Sequence, residues 1–288
     1  MSEIVEKLVE ILSGKQPSQN IAAAAILLAG TIILSFWLIK TSFGRKSLSA
    51  SPLRRNNMPE YIPFMFWAVW VALITLAENI RTSVTILQNL TESQETLLSY
   101  SLMGLCEAVL IFAMLVAGRQ YFVRQMKGFG INFCTAGKDI KAAMLNFAAI
   151  LPAVAVMIAL INLTGFLIKG DDFQMQRNEG LVAITTYQQA SVRITVFLFA
   201  ALIVPVFEEI LFRGLFQTSI RGIVRGAWAS VILTSILFAI MHPWTHWPAL
   251  FVLSICLGYS YEKSGSLLRP VFIHMLFNTL SITAALNQ

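Results

Sequence analysis

Read for polarity alone, the chain alternates between long apolar runs and short charged connections. The runs fall at roughly 21–39, 61–77, 97–118, 143–168, 192–216, 227–242, 248–261 and 270–286. About 20 consecutive apolar residues cross hydrocarbon as a helix. The pattern therefore predicts an all-α fold, a polytopic membrane helical bundle of about eight transmembrane helices. The last three runs are short, and Pro or Gly at helix ends marks places where irregular backbone can line a cavity. The first 20 residues differ. They mix Glu3, Glu6, Glu10, Lys7 and Lys15 with Ile4, Leu8, Ile11 and Leu12, which reads as a short amphipathic helix and not as a signal peptide. The expected organisation is an amphipathic segment at 1–20, helices without a recognisable motif at 21–142, and a core at 143–288. The informative polar residues of that core lie within about 195–286.

Composition agrees. Of 288 residues 57% are hydrophobic and 12% charged, against about 25% charged in soluble domains. Mean hydropathy is +0.71. The net charge of +6 sits in the connections, so it makes no patch for nucleic acid. Cys106, Cys134 and Cys256 are scattered, which excludes a disulfide framework or a paired-cysteine metal motif. The first connection carries Lys40, Arg45, Lys46, Arg54 and Arg55, and the third Arg119, Arg124, Lys127, Lys138 and Lys141. Positive-inside topology puts both in the cytoplasm and both termini outside, in a cell-membrane protein whose site lies nearer the cytoplasmic side. Counted from the end of its apolar run, Glu208 is eight residues, or roughly 12 Å, deep. His274 and Asn278 come out at roughly 6–12 Å, but His242, counted from Ala227, at roughly 22 Å. A longer sixth helix, a tilt or an elongated cavity would reconcile these depths.

Three polar patterns stand out against this apolar background. The first is Glu208-Glu209 followed by Arg213. On a helix Glu209 and Arg213 are i and i+4 and can pair, while Glu208 is turned about 100° away and keeps no counter-ion. That leaves Glu208 for acid–base work; the bland reading is one interhelical ion cluster. The second is Phe238 with His242, which stands before Pro243. A residue before proline leaves the helix, so His242 ends its helix and points into a cavity, or is merely a cap. The third is His274 and Asn278, an i, i+4 pair. Both can donate to an oxyanion, His274 can ligate a metal, or both can bond a neighbouring helix. His246 lies between Trp244 and Trp247 and reads as a surface residue in an interfacial turn. Glu78 and Glu107 are assigned to pairing with Arg81 or to a water pocket, and Glu262 with Lys263 to a solvated turn. No HExxH, GxSxG or intramembrane Gly-Asp pair is present.

In this order and spacing the three patterns resemble the CAAX protease and bacteriocin-processing (CPBP, or Abi) family of intramembrane proteases, which includes the type II CAAX prenyl endopeptidases. The resemblance covers about 195–286. It implies hydrolysis of a peptide bond in a hydrophobic or lipidated peptide or protein tail within the bilayer. Glu208 and His242 would activate the water. His274 and Asn278 would form the oxyanion hole, and Glu209, Arg213 and Phe238 would support the site. The family is read both as zinc enzymes and as metal-free glutamate proteases. The first reading makes Glu208, His242 and His274 ligands of Zn²⁺. The competing expectation is a non-catalytic membrane binding or bacteriocin-immunity protein that keeps the fold. A transporter is disfavoured because the charges gather in the last third without an inverted repeat.

Overall fold

Each of the eight apolar runs is helical in the computed structural model, which describes residues 17–176 and 178–286. The amphipathic segment expected at 1–20 falls, up to residue 16, outside them. Ten helices carry the fold: α1 (Pro17–Lys40), α2 (Ile62–Gln88), α3 (Glu92–Tyr121), α4 (Gln125–Phe129), α5 (Ala136–Lys169), α6 (Glu179–Thr186), α7 (Ala190–Val224), α8 (Ala227–Ile240), α9 (Trp247–Ser264) and α10 (Leu268–Leu286). The fold is all-α. Five helices, α1, α2, α3, α5 and α7, are long and apolar enough to cross a membrane. The expectation of eight is met only that far. α8 has 14 residues, about 21 Å, short of a hydrocarbon core of about 30 Å. α9 carries Ser254, Ser260, Glu262 and Lys263 along its length.

Helices outrun their apolar runs where polar groups find partners. α2 continues past residue 77 because Arg81 pairs with Glu78 on its own helix and with Glu95 on α3. Thr91 and Gln94 close a capping box at the start of α3, satisfying orphan N–H groups of its first turn.

Basic connections gather at one end. Asn57 N donates to Tyr121 O and Val123 N to Arg55 O, at 3.1 and 3.2 Å, so the first connection lies beside the third. Lys263 Nζ donates to Ser47 O at 2.8 Å, Trp228 Nε1 to Gly44 O at 3.0 Å, and Leu267 N to Gly130 O at 2.8 Å. Arg269 reaches Asp139 at 3.1 Å. Glu262 is not in a solvated turn. It is buried, taking hydrogen bonds from Gln217 at 3.2 Å and Ser51 at 3.0 Å. That buried carboxylate ties the first connection to α9.

α7 is the axis of the bundle. Of its most apolar stretch 44% is buried, against 6% in α1 and α5, and it packs on α2, α3, α8, α9 and α10. Phe129 wedges between α3 and α7, and a Cβ at Gly118 or Gly214 would stand 2.8 or 2.6 Å from its ring. Only glycine lets both helices approach so closely. α7 is interrupted by two π-helical stretches, Phe199–Ile203 and Ile210–Gln217, on either side of Val204–Glu209. Pro205 has no N–H to give the turn before it and crowds that turn; a π-widened turn accommodates this. Glu208 stands 16 residues from Val224, about 24 Å by helical rise. Along the helix that compares with the 15 residues from Ala227 to His242 at the end of α8, whereas His274 meets Glu209 only six residues from the start of α10; the three helices reach the site over different lengths.

Candidate active site

Four helices bring the site together. α7 supplies Glu208, Glu209 and Arg213, α8 supplies Phe238 with His242 just beyond its end, α9 supplies Ser254, and α10 supplies His274. The two carboxylates divide as the helical geometry requires. Glu209 is fully buried, and its Oε1 accepts from Arg213 Nη1 at 2.7 Å and from His274 Nδ1 at 2.9 Å. Arg213, equally buried, donates through Nη2 to Ser254 Oγ at 2.7 Å. Its guanidinium carbon lies 4.7 Å from the centre of the Phe238 ring. Glu208 retains 17% side-chain exposure against 0% for Glu209, so it is the carboxylate a substrate can reach.

The hydrogen bonds fix what each imidazole presents. His242 Nδ1 is 2.8 Å from Phe238 O. A carbonyl only accepts, so Nδ1 carries a proton and Nε2 is the nitrogen left to the site. That Nε2 faces Glu208 Oε1 at 4.0 Å. His274 Nδ1 donates to Glu209, and its Nε2 faces Glu208 Oε2 at 3.7 Å. Phe238 packs between the rings, with centroids 4.8 Å from His242 and 5.8 Å from His274. Two imidazole nitrogens therefore converge on one carboxylate from opposite oxygens. The gaps exceed direct hydrogen bonds. A water donating to two acceptors at about 2.8 Å bridges roughly 4–4.5 Å, close to the His242–Glu208 separation.

Asn278 lies one turn along α10 from His274. Its Nδ2 donates to Ala200 O at 2.8 Å, a carbonyl of the π-widened turn. One of its two N–H groups thus stabilises the backbone just before the Glu208 turn. Among the described contacts it makes no bond to Glu208 or to either histidine.

Three further residues, none given a site role by the sequence reading, lie against the site. Ser254 is one serine among several in an apolar helix, and only the packing of α9 on α7 shows that it holds Arg213. Trp247 Nε1 donates to His242 O at 2.7 Å, so the tryptophan turn touches the site. Glu107 on α3 is buried and takes a hydrogen bond from Trp70 Nε1 at 3.4 Å. Trp70 in turn packs 5.7 Å from Phe207. Glu107 does not pair with Arg81, whereas Glu78 does.

The donor types around Glu208 suit zinc, and their spacing is looser than a bound ion would impose. Tetrahedral arms of 2.0–2.1 Å set neighbouring ligand atoms about 3.3 Å apart, and among the described residues no group of three His, Cys, Asp or Glu is arranged to hold a metal ion.

Comparison with known proteins finds a similarity over this part of the chain. Residues 190–280 match the family described as type II CAAX prenyl endopeptidase Rce1-like. An uncharacterized protein of Bacillus subtilis (strain 168), YpbD, is 32% identical over 84 residues, covering 29% of this chain. The match spans 42% of that relative's length. No solved structure matches.

Proposed function

From an Rce1-like type II CAAX prenyl endopeptidase domain at residues 190–280, we propose that the protein is an intramembrane endopeptidase. It hydrolyses a peptide bond in a hydrophobic or lipidated peptide or protein tail. The observation that carries this reading is the convergence of His242 Nε2 and His274 Nε2 on the partly open Glu208 carboxylate. One water donates to Glu208 and to His242 Nε2. Its oxygen adds to the scissile carbonyl carbon while its proton passes to Glu208, the general base. The same proton then goes to the leaving amine as the C–N bond breaks. Glu209, held by Arg213, orients His274 as a buried carboxylate orients a catalytic histidine. With His274 as imidazolium, Nε2–H donates to the oxyanion, and the second N–H of Asn278 is its partner there.

Zn²⁺ is the second reading, supported by donor types that suit it, two imidazole nitrogens about one carboxylate. Glu208, His242 and His274 would hold it, and it would supply Lewis-acid polarisation of the same water. By the positive-inside rule we place the basic end of the bundle in the cytoplasm. Glu208 stands midway along α7, a helix long and apolar enough to cross a membrane, so we place cleavage within the bilayer.

Glu208→Gln is the test. It preserves shape and removes the base. Cleavage of an internally quenched peptide ending in a farnesylated Cys-aliphatic-aliphatic-X tail should fall by about 10²–10⁴-fold with the fold intact. Undiminished cleavage in that variant would sink the assignment. A wild type that binds the peptide without cutting it would support the binding or immunity reading instead.

A further inference from the structure

His242 stands where no helix can hold it. α8 ends at Ile240 and Pro243 blocks continuation, so the carbonyl of His242 has no partner within a helix. The protein supplies one from the next helix. Trp247, the first residue of α9, donates its indole N–H to His242 O at 2.7 Å. The loop between is a single tight turn, Trp244–His246, closed by His246 N donating to Pro243 O at 2.8 Å.

With that bond every polar atom of His242 but one is committed. Its N–H goes to Ala239 O at 3.0 Å, its Nδ1–H to Phe238 O at 2.8 Å, and its carbonyl to Trp247. The remaining atom is Nε2, which faces Glu208. Trp244 gives a contrast within the same turn: it is 61% exposed and makes no such bond among the described contacts. Ser254, seven residues beyond Trp247, falls on nearly the same face of α9. One helix face thus holds one histidine by its backbone and the other through Arg213 and Glu209.

We propose that Trp247 is a positioning residue of the site, whose indole N–H sets the height and direction of the His242 imidazole. This rests on His242 serving the proposed hydrolysis. The bulk of the ring is secondary, since Trp247 is 41% exposed and fills no core.

Trp247→Phe keeps an aromatic ring and deletes the N–H. The chain has three histidines, so ¹⁵N-imidazole spectra of the detergent-solubilised protein are assignable by His242→Ala and His246→Asn. In Trp247→Phe the His242 ring resonances should move while those of His274 stay. In Trp244→Phe neither should move. Cleavage of the farnesylated quenched peptide should lose about five- to tenfold in kcat, the scale of one hydrogen bond, with KM within about twofold. If Trp247→Phe does not fold, benzothienylalanine at 247 replaces the N–H by sulfur at constant shape. An unmoved His242 resonance in either variant overturns the proposal, and so does a loss confined to KM. A moved resonance in a protein that cleaves no probe upholds the positioning and rejects the protease reading, which keeps the two failures apart.

Discussion

Replacing Arg213 by Met tests the buried ion pair most directly. The guanidinium has no exposure and gives 2.7 Å bonds to Glu209 Oε1 and Ser254 Oγ. Met fills a similar volume and donates nothing. Glu209 is then left in a dry interior with His274 Nδ1 at 2.9 Å as its partner, and its Oε2 already has none. Removing one member of a buried pair costs about 3–5 kcal/mol, mostly because the other charge is left uncompensated. Replacing both members is far milder. Arg213→Met should therefore lose about 3–5 kcal/mol, and Glu209→Gln/Arg213→Met about 2 kcal/mol or less. Denaturant titration of the detergent-solubilised protein, followed by helical circular dichroism, measures both. The order matters more than the values, because the double variant must be more stable than the single one. A single variant within about 1 kcal/mol of wild type, or a double variant that loses the sum of the two singles, would refute the claim that this pair is a coupled buried unit.

Further expectations follow from neighbouring contacts. Gly214→Ala sets a Cβ 2.6 Å from the Phe129 ring and should destabilise by about 1–3 kcal/mol, with Phe129→Leu restoring part of the loss in the same titration. Asn278→Asp turns a donor to Ala200 O into a facing acceptor and should cost about 1–3 kcal/mol, read by unfolding together with kcat. Elemental analysis of purified, active protein separates the two mechanisms, since the metal-free one needs no stoichiometric zinc. Zinc at one per chain in wild type and absent from His242→Ala would install the metal mechanism.

Much of the helix layout is legible because hydrocarbon demands one signal, a run of apolar residues. The runs at 227–242, 248–261 and 270–286 sit close to α8, α9 and α10. Ends are less legible, because a helix continues wherever its polar groups find partners. α2 runs on through Glu78 and Arg81, and α7 runs on to Val224. The division of labour between Glu208 and Glu209 could be read from spacing, since the i, i+4 pairing is local. What Glu209 holds besides Arg213 could not. His274 and Ser254 arrive from helices far along the chain, and no periodicity records which of their atoms face α7. Asn278 shows the same limit, because its partner is a carbonyl freed by a π-widened turn.

The pairing of Glu209 with Arg213 also bears on how the chain enters its membrane. Residues 190–224 are made before Ser254 and His274. An isolated charge at the centre of an inserting helix is penalised by about 2.5–3.5 kcal/mol on the translocon scale. Because the two residues sit one turn apart on one helix, the acid and the base neutralise each other inside the nascent segment. The pair thus lowers the cost of placing α7 in lipid and leaves Glu208 as the uncompensated charge near its centre. The contacts to Ser254 and His274 are then made by later helices, which find a preformed ion pair to close around.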